Sequence, residues 1–258
     1  MSLGDLFRRL FGAKATVAPA SPEPPAGDPL AEASFDARSR FWARAGAVEP
    51  DVLAPLISPA FLGGSHWPTL RQAYRVVRRP EGGVLLATDG LSDPFEEGGD
   101  ANGYGLELFL ECADLPPALA GAPGTIAPLR KSWMFALLSH VAGIVADNGG
   151  IVSRLDRHGG ILSMELPGVS EAETIHSQLP AQFVTADDVL GILIGGPAPD
   201  FATDMPDMPL SPVRAVPIVL LTAAELAEVR AGDDSTRDAV ARALAKQPYT
   251  HLARDSLV

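Results

Sequence analysis

The stretch from Val84 to Cys112, VLLATDGLSDPFEEGGDANGYGLELFLEC, decides the fold. Val84–Thr88 and Gly105–Glu111 both read as strands. In the second, Leu106, Leu108 and Leu110 alternate with Glu107, Phe109 and Glu111, so a period of two gives one wholly apolar face. Between them lies an acidic, Gly-rich loop whose Asp-Gly, Asp-Pro, Gly-Gly and Asn-Gly pairs interrupt regular structure. Cys112, at the end of the second run, is the single cysteine. That excludes an internal disulfide, a thiolate metal cage and a Cys-x-x-Cys redox centre, and its position predicts a buried structural thiol.

Outward from this stretch the pattern is mixed α and β. Tyr74–Val77 leads through Arg78-Arg79-Pro80 and Gly82-Gly83 into the Val84 strand, predicting a hairpin. Leu30–Gly46 is helical in pattern, with Ser34 as its expected cap and Phe35, Phe41 and Trp42 as anchors. Val52–Leu62, broken by Pro55 and Pro59, is expected to be loop or short helical turns. Pro128–Asn148 is expected to be one helix, started by Pro128 and stopped by Asn148-Gly149-Gly150. Its stripe of Leu129, Trp133, Leu137, Val141 and Ile144 should pack on a sheet, with His140 at the edge of that stripe. Ile151–Leu155 and Ile161–Leu166 are expected as paired strands around the Asp156–Gly160 turn. Phe183-Val184, a central Val189–Ile194 and Val216–Leu221 complete the strands. Gly195–Pro212 reads as a long irregular loop. Thr222-x-x-Glu225 is a capping box that opens a helix, and Ser235–Ala245 is a final amphipathic helix.

At the start, Leu3, Leu6, Phe7, Leu10 and Phe11 fall on one helical face, with Arg8, Arg9 and Lys14 beside it. Such a basic amphipathic segment can contact an anionic membrane or dock in a partner groove. Ala13–Pro29 is Pro-rich and has little to bury, as a solvated linker would. The expected organisation is therefore a basic amphipathic segment at 1–12, a Pro-rich linker at 13–34 and an α/β (α+β) domain at 35–258.

With 47% apolar residues the chain can bury a core, and its net charge is −12. That charge argues against nucleic acid as partner, because phosphate neutralisation needs clustered Lys and Arg. It favours a basic protein partner, by long-range attraction. No apolar run approaches the roughly 18 residues of a membrane span, and a cytoplasmic protein is expected. Gly63-Gly64-Ser65-His66-Trp67 fails the nucleophile-elbow template at Trp67. The acidic loop fails the calcium-loop template, whose third and twelfth positions fall on Phe95 and Tyr104. The histidines form no zinc motif, and there is no phosphate-binding Gly-rich loop. An enzyme would need dispersed groups such as Asp89, Glu107, Glu111, Glu165 and His140 to converge.

Taken in order, these pieces resemble the suppressor-of-fused family. The resemblance rests on Thr88-Asp89-Gly90-Leu91-Ser92, on Gly103-Tyr104-Gly105-Leu106-Glu107-Leu108, and on the helix with Trp133, Leu137, Leu138 and Ala142. It continues through Val219–Leu226 to Arg254-Asp255-Ser256, so it spans about Phe35 to Val258. It implies a mixed β-sheet flanked by helices, protein binding without catalysis, and no cofactor or metal. Animal members hold a transcription-factor peptide between two domains. Bacterial members resembling only the first domain are thought to include immunity proteins that neutralise toxins. The similarity covers one domain, so the two-domain clamp is not expected here. The expected function is a protein-binding module directed at a basic toxin domain, with Asp89, Asp93, Glu96, Glu97 and Tyr104 as partner-binding residues on an exposed loop. The alternatives are a membrane-proximal adaptor docked through residues 1–12, and an enzyme with an unrecognised site.

Overall fold

The computed structural model describes residues 28–55, 61 and 63–258. The amphipathic segment at 1–12 and most of the Pro-rich stretch therefore lie outside the described residues. Helix α1 (Pro29–Ala45) begins earlier than the expected end of the linker at residue 34. Its cap is Asp28, whose carboxylate accepts from Leu30 N at 3.0 Å, and Pro29 starts the first turn. Ser34 is instead buried inside the helix, on a face shared with Ala37, Arg38, Phe41, Trp42 and Ala45.

Among the described residues eight strands follow: β1 (Ala47–Leu53), β2 (Ala73–Arg78), β3 (Val84–Asp89), β4 (Leu106–Cys112), β5 (Leu162–Pro167), β6 (Val189–Ile194), β7 (Asp204–Met205) and β8 (Val213–Leu221). The sheet runs β1-β2-β3-β4-β8-β6-β5, with β7 paired to β8. Among the described residues only the β4–β8 pair is parallel, so the sheet is mixed as expected. The β2–β3 hairpin forms as read from the sequence, with Arg78 opposite Val84. β1 was not expected, because Pro50 lies within it and Pro55 follows closely. It is an edge strand, where Pro50 removes no central hydrogen bond and a register shift interrupts the ladder.

Helices cover both faces. On one side, Leu106, Leu108 and Leu110 join Val76, Leu86, Ile192 and Ile218 beneath α3 (Trp133–Asn148), which contributes Leu137, Leu138 and Val141. On the other, Leu85, Ala87 and Phe109 meet Ala37, Phe41 and Trp42 of α1. Trp42 lies edge-on to Phe109 with ring centroids 5.7 Å apart. Further along that face, Leu193, Val219 and Leu221 bury Leu226 of α6 (Ala223–Ala231) and Leu244 of α7 (Asp234–Leu244). Two short helices, α2 (Pro117–Ala120) and α5 (Glu173–His176), lie in the connections, and α4 (Ile151–Arg157) follows α3. Cys112 is buried, and burial pushes its thiol up to about 12.

Several expectations are corrected. Pro128 belongs to a 3₁₀ turn, and α3 starts afterwards, capped by Ser132. Ile151–Leu155 is helical, in α4. Gly149 and Gly150 adopt positive φ and turn the chain by 89°, after which Ile151 and Leu155 bury one helical face. Phe183 lies in a 3₁₀ turn, and Val184 makes a single bridge to Leu190. Gly195–Pro212 is not wholly irregular, since it contains β7. His140 is exposed. The Thr222–Glu225 capping box forms as read, with each side chain bonded to the other's backbone N–H.

β8 joins two half-sheets. Its first half pairs with β4 and β7, its last four residues with β6. The β4 ladder ends at Phe109 opposite Pro217. The strands part beyond that point, and the segment around Thr250 takes over, accepting from Ala113 N at 3.0 Å. Asp114 holds this segment through Leu252 N and Ala253 N. Arg254 secures it further with a buried two-pronged ion pair to Glu225.

Candidate functional site

Four elements bring charge to one end of the α1-covered face. Arg75 of β2, Asp89 of β3 and Glu107 of β4 occupy inward positions, and Arg38 descends from the apolar face of α1. Arg38 is wholly buried and donates to Asp89 Oδ1 at 2.8 Å, to Ser92 Oγ at 3.3 Å and to Asp93. Asp89 also takes Arg71 at 2.7 Å and Arg75 at 2.9 Å on its second oxygen. Glu107 accepts from Gly90 N, Ser92 N and Ser92 Oγ, with Thr88 Oγ1 on its other oxygen. Three guanidinium groups thus face three carboxylates, so the cluster balances its charge, with Arg71 reaching in from the surface and the other members buried.

The protonation preferences follow from this geometry. Burial alone would raise the Asp89 carboxyl, but Arg38, Arg75 and Arg71 hold it well below the usual range. Glu107 goes the other way: complete burial pushes it up, and Arg38 only partly offsets this. For Arg38 burial opposes the charge, yet the carboxylates of Glu107, Asp89 and Asp93 keep it protonated beyond its ordinary value.

The cluster anchors the loop between β3 and β4. Asn102 is a second anchor. Its amide donates to Ser34 Oγ and Ser92 O, while its oxygen accepts from Leu210 N and Ser211 N. Gly103 has φ +46°, and a Cβ there would meet Leu91 O at 2.3 Å, so this close crossing requires glycine. Tyr104 packs edge-on to Phe95 with centroids 5.6 Å apart, and its hydroxyl donates to His66 O at 3.0 Å.

The five expected partner-binding residues are therefore divided. Asp89 and Asp93 are buried in the ion cluster, which corrects their expected exposure: opposite charges on four elements draw them inward. Glu96 and Glu97 are exposed at the loop tip, although Glu96 also accepts from Leu70 N at 3.1 Å. Tyr104 is half-buried beside them, and burial pushes its phenol up. Next to the loop, a cleft of about 410 Å³ is lined by Asp28, Glu32, Phe35, Asp36, Arg71 and Asp93. Phe35 is 41% exposed there, with the Arg75 guanidinium 4.8 Å from its ring centre. The sequence reading missed Arg38, Arg71, Arg75 and Asn102. The available signals were a charge on the apolar side of α1, with Phe41 and Trp42 three and four residues on, and Glu107 inside an apolar strand.

Among the described residues, no group of three or more His, Cys, Asp or Glu side chains is placed to hold a metal ion. The dispersed groups of the enzyme reading do not gather. Asp89 and Glu107 lie in the ion cluster, Glu111 pairs with Arg79, Glu165 pairs with Arg230 at the opposite edge strand, and His140 is on α3. No single helix among the described residues is long and apolar enough to cross a membrane.

No protein-family model matches the sequence, and no curated protein matches it. Among solved structures, the chain is similar to one described as "the Sufu-Fu complex crystal structure", with a TM-score of 0.50 and 15% sequence identity. That similarity covers 90% of this chain and 92% of the other. The fold is suppressor-of-fused-like, a mixed eight-stranded sheet flanked by helices.

Proposed function

We propose that the chain is a non-enzymatic protein-binding module whose partner is a basic protein, in the manner of an immunity protein that neutralises a toxin domain. The observation that carries this reading is the likeness in fold to a chain solved within a protein complex. The net charge of −12 supports a basic partner. At the exposed tip, Glu96, Glu97 and Asp100 adjoin Phe95 and Tyr104, which offers charge for steering and aromatic surface for contact. The ion cluster and Asn102 hold that tip from below. A pre-ordered loop loses less entropy on binding than a loose one.

The test is to purify the tagged protein from its own host and identify co-purifying proteins by mass spectrometry. A stoichiometric basic partner is expected. Its association with the Glu96→Lys/Glu97→Lys double variant should be roughly tenfold slower at low salt, with the difference fading at high salt. Absence of any partner, or an association rate indifferent to these charges, would count against the reading. A second reading, a membrane-proximal adaptor, rests on the spacing of Leu3, Leu6, Phe7, Leu10 and Phe11. Deletion of residues 1–12 should then abolish co-sedimentation with anionic vesicles. Full-length protein that stays in solution with such vesicles ends that reading.

A further inference from the structure

The parting of β4 and β8 opens a crevice at the carboxyl ends of two parallel strands, far along the sheet from the β3–β4 loop. In α/β sheets this is where ligands find room, because neighbouring chains leave in different directions. The crevice comprises two adjacent cavities that share Glu111, Tyr249, Thr250 and His251 in their walls. The inner part, about 20 Å³, lies between Leu110 and Ile218 and is lined by Trp133 and Phe183. It admits one water-sized group, such as a carbonyl oxygen. The outer part, about 340 Å³, opens to solvent between Arg79, Glu81, Asp200 and the Tyr249–His251 segment. Glu111 and Tyr249 line both parts.

Two independent features point to a ligand. Trp133 is 2% exposed, and its buried indole N–H has no hydrogen-bond partner among the described residues, a donor whose desolvation is uncompensated. At the mouth, three carboxylates (Glu81, Glu111 and Asp200) face one guanidinium, Arg79. That guanidinium is already engaged by Glu111, Asp200 and Ala45 O and lies over the Phe201 ring. One oxygen of Glu111 takes the Arg79 bond, which leaves the other for a further donor. Burial raises both the Glu111 carboxyl and the Tyr249 phenol, the latter to about 12, as expected of groups facing a partly desolvated pocket.

We propose that this crevice binds a small organic cation carrying a hydrogen-bond acceptor. The acceptor enters first, towards the Trp133 indole N–H, and the cationic group rests at the mouth against Glu111 and Asp200. This site is independent of the partner-protein reading and lies away from the loop tip used there.

The chain has three tryptophans, so its indole N–H signals are few enough to follow singly in a ¹⁵N–¹H spectrum, with Trp133→Phe identifying one of them. The probe is N-acetyl-arginine methyl ester, which has a guanidinium and ester and amide carbonyls. Its neutral counterpart is N-acetyl-citrulline methyl ester. The expected result is a saturable shift of the Trp133 signal with the arginine ester and none with the citrulline ester. Glu111→Gln and Asp200→Asn should each weaken that binding, the former about tenfold or more. Asp200 is 75% exposed in its side chain, so its variant keeps the test valid should Glu111→Gln disturb Arg79 and the fold. A Trp133 signal that stays still, that moves equally with both esters, or that responds unchanged in both variants would overturn the proposal.

Discussion

At Arg38 a charge stands on the apolar side of a helix, and its removal would take a shared partner from the buried Asp89, Asp93 and Glu107, leaving Asp89 with only Arg71 and Arg75. Arg38→Ala is expected to cost about 3–5 kcal/mol in urea denaturation, because a buried pair broken on one side leaves an uncompensated charge. The carboxylates of the cluster act on stability in opposite directions. Asp89 has a folded value below its unfolded one, so its contribution is present above the ordinary carboxylate range, about pH 4, and is lost as pH falls through the folded value. Glu107 has a raised folded value, so its contribution is present below that range and is lost as pH rises through the folded value. Glu107→Gln should therefore remove a loss of stability above about pH 4 while leaving the acid limb due to Asp89 in place. Denaturation midpoints across a pH series would check this; an unchanged profile above pH 4 would contradict it. Little of this was readable beforehand, since Arg38 and Asp89 are far apart in sequence and their pairing depends on how α1 lies over the sheet.

Elements show a different balance. The Thr222–Glu225 capping box was legible because both bonds lie within four residues, and Thr222→Ala should cost about 1 kcal/mol. Glu225 has a second role that no local pattern could reveal: it is the buried partner of Arg254. Arg254→Ala is thus expected to cost several times more than Thr222→Ala, about 3–5 kcal/mol, in the same denaturation assay. Gly103→Ala tests the loop crossing. Its positive φ and the close approach of Leu91 O and Asp93 O predict a loss of about 1–3 kcal/mol, with lower melting temperature as the readout. The element misread most clearly was α4, where the apolar run Ile151–Leu155 is too short for its period to tell strand from helix. The two glycines before it decided the matter by turning the chain off the end of α3.

For the whole molecule, β8 is the strand that makes one body of two half-sheets. Trp42 lies in the cluster beneath α1 and Trp133 in the cluster beneath α3, on opposite faces of the same sheet. Tryptophan fluorescence and far-UV circular dichroism are expected to report one coincident unfolding transition. Two separated transitions would show that the half-sheets melt apart. The alternating β4, the β2–β3 hairpin, the buried β6 and the all-buried Cys112 were settled by residue order, because burial on one face or two writes its period directly into neighbouring positions. The parallel β4–β8 pair, the parting at Pro217, the inward turn of Asp89 and Asp93 and the unpartnered indole of Trp133 were decided only on folding. Each depends on segments tens to more than a hundred residues apart, whose contacts are chosen by packing and charge neutralisation across the assembled core and leave no local period to read.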